Sequence, residues 1–525
     1  MGFFDRFRRK PKDASSAVMA LERQREAQLR SSVRVFAAAR PSRLNDGWST
    51  LTSSADMESV TSLTNLRNRS RALCRDNAHA KRAKTVVVNN VIGAGIGLQA
   101  NITSTRGRLV EDVNDAIESA WQDWCRAENC HIGGSLHFAD LERLLLDETF
   151  EAGDVLLRIH RQGMGAVPLS LEVIEAERLA EEWEASALNG NMVRQGVEVN
   201  DYFRPVAYWI HERHPGDPRR DARGDRLVRV PAQDIIHLRT ITRWPQVRGV
   251  PWMHAAMNRL HQLGEFQDAA VIAARIGAEK VMMLKETEDG RLADALGADS
   301  NDGTLSWGSQ KGQFDILPSG TEPVDWTPQY PHENYGAFVV AALRDIAAAF
   351  GVSYESLSRD YSQSNYSSSR LSLIDDRDGW RVLQQWYIRA VRERIHAAWL
   401  EAAVLSRAIP RISVADYVAR PAYYQSVTWK PRGWSWVDPT KEVNAYKEAE
   451  KAGYVTKSDV IAQTGNGRDI EDVIRERRRE LDMMEAAGLT TDTDPGADQP
   501  VQAAPEPADD DERPVRLRLA KREKP

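Results

Sequence analysis

Two segments decide the fold class: residues 253–280, MHAAMNRLHQLGEFQDAAVIAARIGAEK, and residues 332–351, HENYGAFVVAALRDIAAAFG. Both carry apolar residues at helical spacing. These are Met253, Met257, Leu260 and Leu263 in the first segment and Tyr335, Phe338, Ala342 and Ile346 in the second. The residues between them, 286–331, are rich in Gly and Pro and have strand and turn character. The sequence therefore predicts a long helix from Trp252, a small module, and a second helix ending at Gly351.

The chain on either side of this helix pair has a different character. Before it, strand patterns dominate residues 155–241, as in VLLRIHR, LSLEVIE, VAYWIHE and DIIHLRT. After it, another long amphipathic helix is marked by Ile388, Val391, Ile395, Trp399, Ala402 and Leu405. Charged helices with glycine breaks follow as far as residue 490. These patterns predict an α+β fold that is mainly helical.

A basic segment precedes the strand-rich part. Residues 65–90, NLRNRSRALCRDNAHAKRAKTVVVNN, combine many cations with a β-branched run at 85–88. The pattern predicts a helix followed by a strand. We expect the basic face of this helix to be solvated, and a ligand-binding face is the alternative.

Composition excludes several classes of protein. At 525 residues the chain exceeds the usual size of one hydrophobic core, so two or more domains are expected. The longest apolar stretches are interrupted by charges such as Arg275 and Arg344, which predicts no membrane helix. Three cysteines and no secretion signal favour a reducing compartment. A net charge of −6 does not suggest tight nucleic-acid binding. Residues 1–45, a basic arm, and 491–525, a polar tail, are expected to be disordered.

Motifs for catalysis and cofactors are missing from the sequence. No Gly-x4-Gly-Lys-Ser/Thr segment is present to surround nucleotide phosphates. The cluster Gly93, Gly95 and Gly97 follows a strand-like run, but its third glycine is misplaced for a dinucleotide site. No serine-hydrolase elbow is present either. We therefore predict no catalytic residues, no cofactor and no enzymatic activity.

Three polar clusters could hold a metal, but each has a simpler structural explanation. Cys125, Cys130, His131 and His137 form a possible zinc set, for which buried structural cysteine is the favoured interpretation. The segment 211–214, HERH, lacks helical zinc spacing and is typical of a strand end or turn. Asp375, Asp376 and Asp378 are expected to be a solvated helix turn. No metal site is predicted.

From about residue 43 to residue 490, the order of several segments resembles the lambda-type family of phage portal proteins. The first matching segments are RNRSRALCRDNAHAKRA (67–83), NNVIGAGIGLQ (89–99), Trp121 with Trp124, and FEAGDVLLR (150–158). Later ones are LEVIEAERL (171–179), GVEVNDYFRPVAYWIHERHPGD (196–217), VPAQDIIHLRT (230–240), LRDIAAAFGVSYESLSRDYSQSNYSSSR (343–370) and WSWVDPTKE (434–442). Together they are specific, although each alone is weak.

The resemblance implies a ring of twelve subunits at one capsid vertex, with wing, stem, clip and crown regions around a channel. The regions are mapped here by residue number. The wing would comprise 46–250 and 371–430, the stem helices 251–285 and 332–357, the clip 286–331, a tunnel loop 358–370, and the crown 431–490. On this mapping the protein is a virion component that is assembled in the bacterial cytoplasm.

The candidate site is the tunnel loop, whose Ser, Asn and Tyr composition suits weak contact with double-stranded DNA, independent of its sequence. The candidate DNA-facing residues are Arg359, Tyr361, Ser362, Gln363, Ser364, Asn365, Tyr366, Ser367, Ser368, Ser369 and Arg370. The alternative is an ordinary exposed connector. Arg359 and Arg370 could equally pair with Asp360 or with the Asp375 cluster. Deleting 362–369 should permit ring assembly and impair DNA packaging.

The resemblance also implies partners, because the chain has no nucleotide site of its own. A terminase ATPase would dock at the clip, and head-completion or adaptor proteins would use a similar surface later. The major capsid and scaffold proteins would surround the ring. Two competing hypotheses are a DNA-processing enzyme, which lacks its motifs, and another capsid-assembly structural protein, which the helix, module, helix order disfavours.

Overall fold

The computed structural model describes residues 22–23, 52–104, 109–186, 190–218, 226–278, 283–286, 321–324, 334–363, 365–434, 439–464 and 469–488. The chain divides into two units, 1–57 and 58–525. Residues 22–23 of the first unit are helical. The rest of the predicted basic arm, 1–45, and the predicted tail, 491–525, lie outside the described residues.

The described residues between Ala55 and Ala486 form sixteen α-helices. In chain order α1 to α8 are Ala55–Val60, Leu63–Asp76, Ala78–Val91, Glu111–Trp124, Ala127–Cys130, Phe138–Ala152, Met257–Ala278 and Tyr335–Phe350. Helices α9 to α16 are Tyr354–Ser358, Tyr366–Tyr387, Glu393–Leu405, Val414–Ala419, Pro421–Tyr424, Pro439–Lys451, Lys457–Thr464 and Ile470–Ala486. A π-turn, Ile388–Arg392, joins α10 to α11, so that Tyr366–Leu405 is helical throughout.

The described strands form four antiparallel sheets. In chain order β1 to β6 are Gly97–Ala100, Asp154–His160, Ser170–Ile174, Ala185–Ser186, Met192–Arg194 and Val197–Val199. Strands β7 to β12 are Pro205–His211, Leu227–Pro231, Ile235–Arg239, Met283–Glu286, Thr321–Val324 and Val427–Lys430. The strand orders are β3-β2-β9, β4-β5-β6-β7-β8, β1-β12 and β10-β11. The four predicted strand segments are β2, β3, β7 and β9, and the α+β class is confirmed.

One large core and one smaller core lie in the second unit. The large core lies between one face of β2 and β9 and a set of helices. These are α3, α4, α6, α7, α8 and the continuous helix Tyr366–Leu405, called the long helix below. The smaller one lies under the five-stranded sheet and includes Val197, Tyr208 and Ile210. Strand β2 serves both: Leu157 belongs to the large core and Leu156 to the smaller one, because successive side chains point to opposite faces of a strand.

The strand predicted at residues 85–88 is wrong, because these residues belong to α3. The Asn77 side chain accepts hydrogen bonds from the amides of His79 and Ala80 and so caps the helix. The three valines that follow are buried in the large core. Helical packing of an apolar face therefore outweighs the β-propensity of a short branched run.

Part of the basic face predicted to be solvated is instead paired inside the protein, whereas Arg69, Arg75 and Lys81 are exposed as expected. Arg67, 1% exposed, lies 2.5 Å from Glu181. Arg71 donates to both Glu148 and Glu177, and these carboxylates raise its pKa despite the cost of burying the charge. These ion pairs connect α2 to α6 and to the turn after β3, a partnership that no local pattern shows. Neither the expectation of a solvated face nor its ligand-binding alternative included these ion pairs.

The glycine cluster at 93–97 lies at a helix end and not after a strand. Gly93 has a φ of +62° and follows the last turn of α3, and Gly97 opens β1. Strand β1 pairs with β12 in the register Gly97↔Lys430. No helix N-terminus follows the glycines, so this segment offers no phosphate-binding turn of the dinucleotide type.

Candidate nucleic-acid interface

Helices α7 and α8 pack against each other in antiparallel directions. The ring of Phe266 stacks on Tyr335 at 5.6 Å and meets Phe338 edge-on at 5.1 Å. At the other end of the pair, Arg259 Nε lies 3.1 Å from Asp345 Oδ2. The prediction of two long helices is confirmed in position, although α7 begins at Met257 and not at Trp252, because residues 252–256 form turns after Pro251.

The chain leaves the core along α7 and returns along α8. Leu260 and Leu263 of α7 are buried in the large core, whereas Val271 and Ile272, two turns further on, are exposed. Past the end of α7, strand β10 pairs with β11 in the register Met283↔Val324. The rest of the predicted small module, 286–331, lies outside the described residues apart from β11 and Glu286.

The return along α8 ends in a tight connection to the candidate loop. Gly351 has a φ of +64°, a left-handed conformation that glycine adopts without strain, and it closes α8. Ser353 then caps the short helix α9 by accepting from the Ser356 amide. Leu357 of α9 is buried in the large core. Arg359 ends α9, also in the left-handed region with φ +59°.

A buried carboxylate fastens α9 to the long helix. Asp376 accepts hydrogen bonds from the Ser353 amide at 2.8 Å, the Ser353 hydroxyl at 2.7 Å and the Ser356 hydroxyl at 2.6 Å. Its neighbours Asp375 and Asp378 are exposed. The prediction of a solvated acidic turn is therefore wrong for Asp376, whose partners lie about twenty residues earlier in the chain.

Replacing Asp376 with alanine is expected to lower the free energy of unfolding by about 1.5–3 kcal/mol, because three partly buried donors lose a charged acceptor. The loop after α9 should also become more susceptible to limited proteolysis. Asp375→Ala is the matched control, since it removes an adjacent but exposed carboxylate. Equal effects of the two substitutions in urea denaturation would contradict the anchoring role.

The loop itself is shorter than the predicted 358–370. Residues 359–365 connect α9 to α10, and residues 366–370 already belong to α10. The Asn365 side chain accepts from the Ser368 amide at 2.8 Å, and the Asn365 amide donates to the Ser368 hydroxyl at 3.2 Å. This capping box begins the helix inside the polar tract, and the Asn-x-x-Ser spacing was a usable sequence indication of it.

Within the loop, Asp360 organises the backbone. It accepts from the Ser362 amide at 3.0 Å and from the Tyr354 hydroxyl at 2.8 Å. The hydroxyl and amide of Ser362, together with the Tyr354 hydroxyl, lower the pKa of the Asp360 carboxyl. The carboxylate therefore holds a turn together and does not neutralise Arg359.

Most candidate residues are exposed on this loop and on the first turn of α10. The exposed ones are Arg359, Tyr361, Ser362, Gln363, Asn365, Ser367 and Ser368. Ser369 and Arg370 are partly buried, and Ser364 and the Tyr366 side chain lie outside the described residues. Arg370 Nη2 lies 3.7 Å from Glu442 Oε1, so its carboxylate partner is neither Asp360 nor the Asp375 cluster, the alternatives considered from the sequence.

Arg82 adds a second cation beside the loop, and no local sequence pattern predicted this position. Its Nε donates to the Ser356 carbonyl at 3.0 Å. Burial lowers the pKa of Arg82, and the positive charge of Arg359 lowers it further. Two guanidinium groups from distant parts of the chain therefore lie near each other where α9 ends, and the Asp360 carboxylate directly follows Arg359. Arg359 forms no ion pair with another described residue.

The other polar clusters are part of the scaffold. Cys130 is buried, and His137 accepts from the Ala139 amide and caps α6. His211 ends β7, as expected for a strand-end cluster. Among the described residues, no group of three or more His, Cys, Asp or Glu side chains is arranged to hold a metal ion. The described helices also include none long and apolar enough to cross a membrane.

The long helix that carries the loop is anchored in the large core. Ile388, Val391, Ile395 and Trp399 are buried as predicted, whereas Leu405 is exposed. At the π-turn, Arg392 Nε and Nη2 donate to the two oxygens of Glu142 at 2.6 and 2.7 Å. The guanidinium also lies over the rings of three aromatic residues. These are Trp121, Phe138 and Trp429.

Comparison with known proteins assigns the family of this architecture. The family model for phage portal proteins of the lambda family matches residues 41–384. A probable portal protein of Halomonas phage phiHAP-1 is 30% identical over 463 residues, which cover 87% of this chain and 88% of the relative. Portal protein B of Escherichia phage lambda is 24% identical over 319 residues, covering 56% of this chain and 59% of the relative.

Solved structures give a more distant likeness. A chain in the neck of an empty gene transfer agent particle is 16% identical, with a TM-score of 0.39. The alignment covers 77% of this chain and 93% of that one.

Proposed function

The chain belongs to the lambda family of phage portal proteins, and from this premise we propose that it forms a ring of twelve copies at one capsid vertex. The ring is a passive channel for packaging and ejecting the genome. The antiparallel pair α7 and α8 is the observation that carries the proposal. It places the strand pair β10 and β11 at the end away from the core, and the loop at 359–365 at the end near the core.

The dimensions of this pair suit a channel wall. Helix α7 has 22 residues, which corresponds to about 33 Å at about 1.5 Å per residue. A ring of such pairs lines a passage about as long as one turn of the DNA helix, which is about 34 Å. The clip beyond β10 and β11 then projects from the capsid, where a terminase ATPase docks during packaging and head-completion proteins dock afterwards. The major capsid and scaffold proteins contact the wing.

The loop at 359–365 is proposed as the part of the ring that meets DNA. Two cations per copy, Arg82 and Arg359, lie beside short polar side chains. A contact of six to ten phosphates would change in affinity by about 10³–10⁵ between low and moderate salt, and such a tight hold would oppose movement. Polar groups around a few cations give contacts weak enough to make and break as DNA passes, without reading its sequence.

No enzymatic step is assigned to the chain in this proposal. The energy for packaging comes from the terminase, and the ring guides the DNA and docks successive partners. The ring is assembled in the cytoplasm of the bacterial host and becomes part of the virion.

Negative charge added at the loop is expected to impair DNA passage. The double variant Gln363→Glu, Ser367→Glu places two carboxylates in each copy, and the ring repeats them around the channel. Both positions are exposed, and an acidic residue in the first turn of α10 suits the helix dipole, so the fold is retained. Nuclease-protected DNA in a packaging reaction should fall by about tenfold or more through repulsion of phosphates.

The matched control is Asn68→Glu, Gln122→Glu, which adds the same charge at exposed positions of α2 and α4 away from the loop. It should form rings and package DNA as the unaltered chain does. Normal packaging by the Gln363, Ser367 variant would favour the alternative in which 359–365 is an ordinary exposed connector. The structure also explains why the larger deletion of 362–369 is a poorer test: it removes the Asn365 cap and the first turn of α10.

A further inference from the structure

Helix α8 has an exposed face of small residues that none of the described residues covers. Its sequence, YGAFVVAALRDIAAAF, contains only two charged residues. The exposed residues Ala337, Ala341, Arg344 and Ala348 fall within an arc of about 60° around the helix axis. A helix that is apolar on nearly all sides is normally buried on nearly all sides. Small side chains also allow another helix to approach closely.

Helix α10 has an exposed face of the opposite kind. Leu371 is 71% exposed, Ile374 is 41% exposed and Val382 is 67% exposed. These three residues share an arc of about 100° with the exposed carboxylates Asp375 and Asp378. The face therefore presents large apolar side chains with negative charge among them. Exposed apolar groups of this size on one helix face mark an interaction site.

We propose that the α8 face of one copy binds the α10 face of a second copy of this chain, and that this helix pair is an interface between neighbouring subunits. The inference rests on the proposed ring and names the surfaces that close it. The two faces have the same length. Each runs over twelve residues, Ala337 to Ala348 on α8 and Leu371 to Val382 on α10, which is about 16 Å along the helix axis. Large side chains on α10 fill the space that alanines leave on α8.

Charge complementarity fixes the choice of partner. Arg344 is the one cation on the α8 face, and the α10 face carries Asp375 and Asp378. If the helices run antiparallel and Ala348 lies opposite Leu371, Arg344 lies opposite Asp375. If they run parallel and Ala337 lies opposite Leu371, Arg344 lies opposite Asp378. In either direction the guanidinium meets a carboxylate, although in the parallel arrangement it shares Asp378 with Arg381 of α10, whose Nη1 lies 2.7 Å from Asp378 Oδ1.

Pairing each face with itself is disfavoured. Two α10 faces would bring the carboxylates of both copies together, and two α8 faces would oppose two arginines. The contact therefore joins unlike surfaces, and a head-to-tail contact of this kind generates a ring when its rotation closes. This agrees with the proposed assembly, whereas a self-complementary patch would stop at a dimer.

The first test compares two valines of nearly equal exposure. Val382→Asp changes the α10 face, and Val418→Asp changes α12, where Val418 is 68% exposed. Purified variants are studied by negative-stain microscopy and by sedimentation of the full chain. We expect the fraction of protein in rings to fall by about tenfold or more for Val382→Asp, through a buried unpaired charge. It should be unchanged for Val418→Asp. Because both positions are exposed in the single chain, both variants should keep the helical content of the unaltered chain, as measured by circular dichroism.

The second test reverses the charges. Arg344→Glu should reduce ring formation, and combining it with Asp375→Arg and Asp378→Arg should restore it. Restoration is the decisive result, because Arg344 also lies over the Tyr354 ring and a single substitution could act through that contact. Rings that survive Val382→Asp, or a triple variant that stays as defective as Arg344→Glu, would overturn the interface and leave the proposed ring intact. Absence of rings from the unaltered chain would instead overturn the proposed function.

Discussion

Replacing Arg392 with methionine is expected to lower the free energy of unfolding by about 3–5 kcal/mol, because it leaves the Glu142 carboxylate buried without its partner. Glu142 is 0% exposed and Arg392 is 2% exposed at the side chain. The aromatic rings around the guanidinium carry no positive charge that could stabilise the remaining Glu142 carboxylate. Urea denaturation followed by tryptophan fluorescence measures the change, since Trp121 and Trp429 lie at the site.

Two comparison variants separate the buried pair from ordinary ion pairs. Arg420→Met breaks the exposed pair with Asp416 and should leave stability nearly unchanged, because solvent screens that interaction. The double variant Glu142→Leu, Arg392→Met should recover much of the loss, since neither charge then remains buried. A double variant as unstable as Arg392→Met would show that packing, and not the unpaired carboxylate, causes the loss.

This ion pair matters for the proposed channel because of its place in the long helix. Arg392 belongs to the π-turn between α10 and α11, and Glu142 belongs to α6 in the large core. The pair therefore fixes the helix whose first turn carries the candidate loop. A destabilised pair should loosen the loop as well, although it lies more than twenty residues away along the helix.

Acid is expected to destabilise the protein through two buried histidines. Burial, together with the positive charge of Arg239, lowers the pKa of His237 to about 3. Burial and Arg392 lower the pKa of His396 to about 4. Each ring is neutral in the folded chain, whereas the unfolded chain binds a proton below the ordinary value of 6.5. The contribution of the two neutral histidines to the free energy of unfolding is therefore fully present above pH 6.5. It is lost as the pH falls towards about 4 for His396 and about 3 for His237.

The geometry at His237 gives the physical reason. Its Nε2 lies 3.1 Å from Asp154 Oδ2, and its Nδ1 lies 2.7 Å from Arg239 Nη1. Because the arginine can only donate, Nδ1 accepts and Nε2–H donates to the carboxylate, which is the neutral tautomer. A second proton on the ring, at Nδ1, would place two donors in contact, Nδ1–H and the Arg239 guanidinium. Arg248 meanwhile holds Asp154 ionised, so its pKa stays well below the ordinary value despite full burial.

His396→Phe isolates one of the two contributions. The Nε2 of His396 has no hydrogen-bond partner among the described residues, so an apolar ring fits its aromatic surroundings at neutral pH. The loss of unfolding free energy between pH 7 and pH 4 should shrink by about 3 kcal/mol relative to the unaltered chain. This difference is independent of Glu118, whose pKa burial raises to about 7 and which opposes the histidines. An unchanged pH dependence would contradict the assignment.

Local patterns predicted much of the fold because they reflect local physics. The alternation in VLLRIHR and DIIHLRT matches β2 and β9, since each strand has to bury one face. The helical spacing at Tyr335 and Ile346 matches α8, which ends at Gly351 as expected. The family resemblance stated from ordered segments was confirmed by the family model and by a relative over most of the chain.

Three of the errors share one cause, which is pairing between residues far apart in sequence. Asp376 was expected in solvent because its donors, Ser353 and Ser356, come from another helix. The basic segment was expected in solvent because its carboxylate partners follow about 80 to 110 residues later, as for Arg71 with Glu148 and Glu177. Arg82 was not connected with the loop for the same reason.

The central claim is that this chain forms a ring with a channel, and microscopy combined with mass measurement tests it most directly. The purified, unaltered protein is imaged by negative stain, and its mass is determined in solution at several salt concentrations. We predict rings of about twelve copies with a central hole wide enough for duplex DNA, which has a diameter of about 20 Å. A compact monomer at every salt concentration would contradict the account.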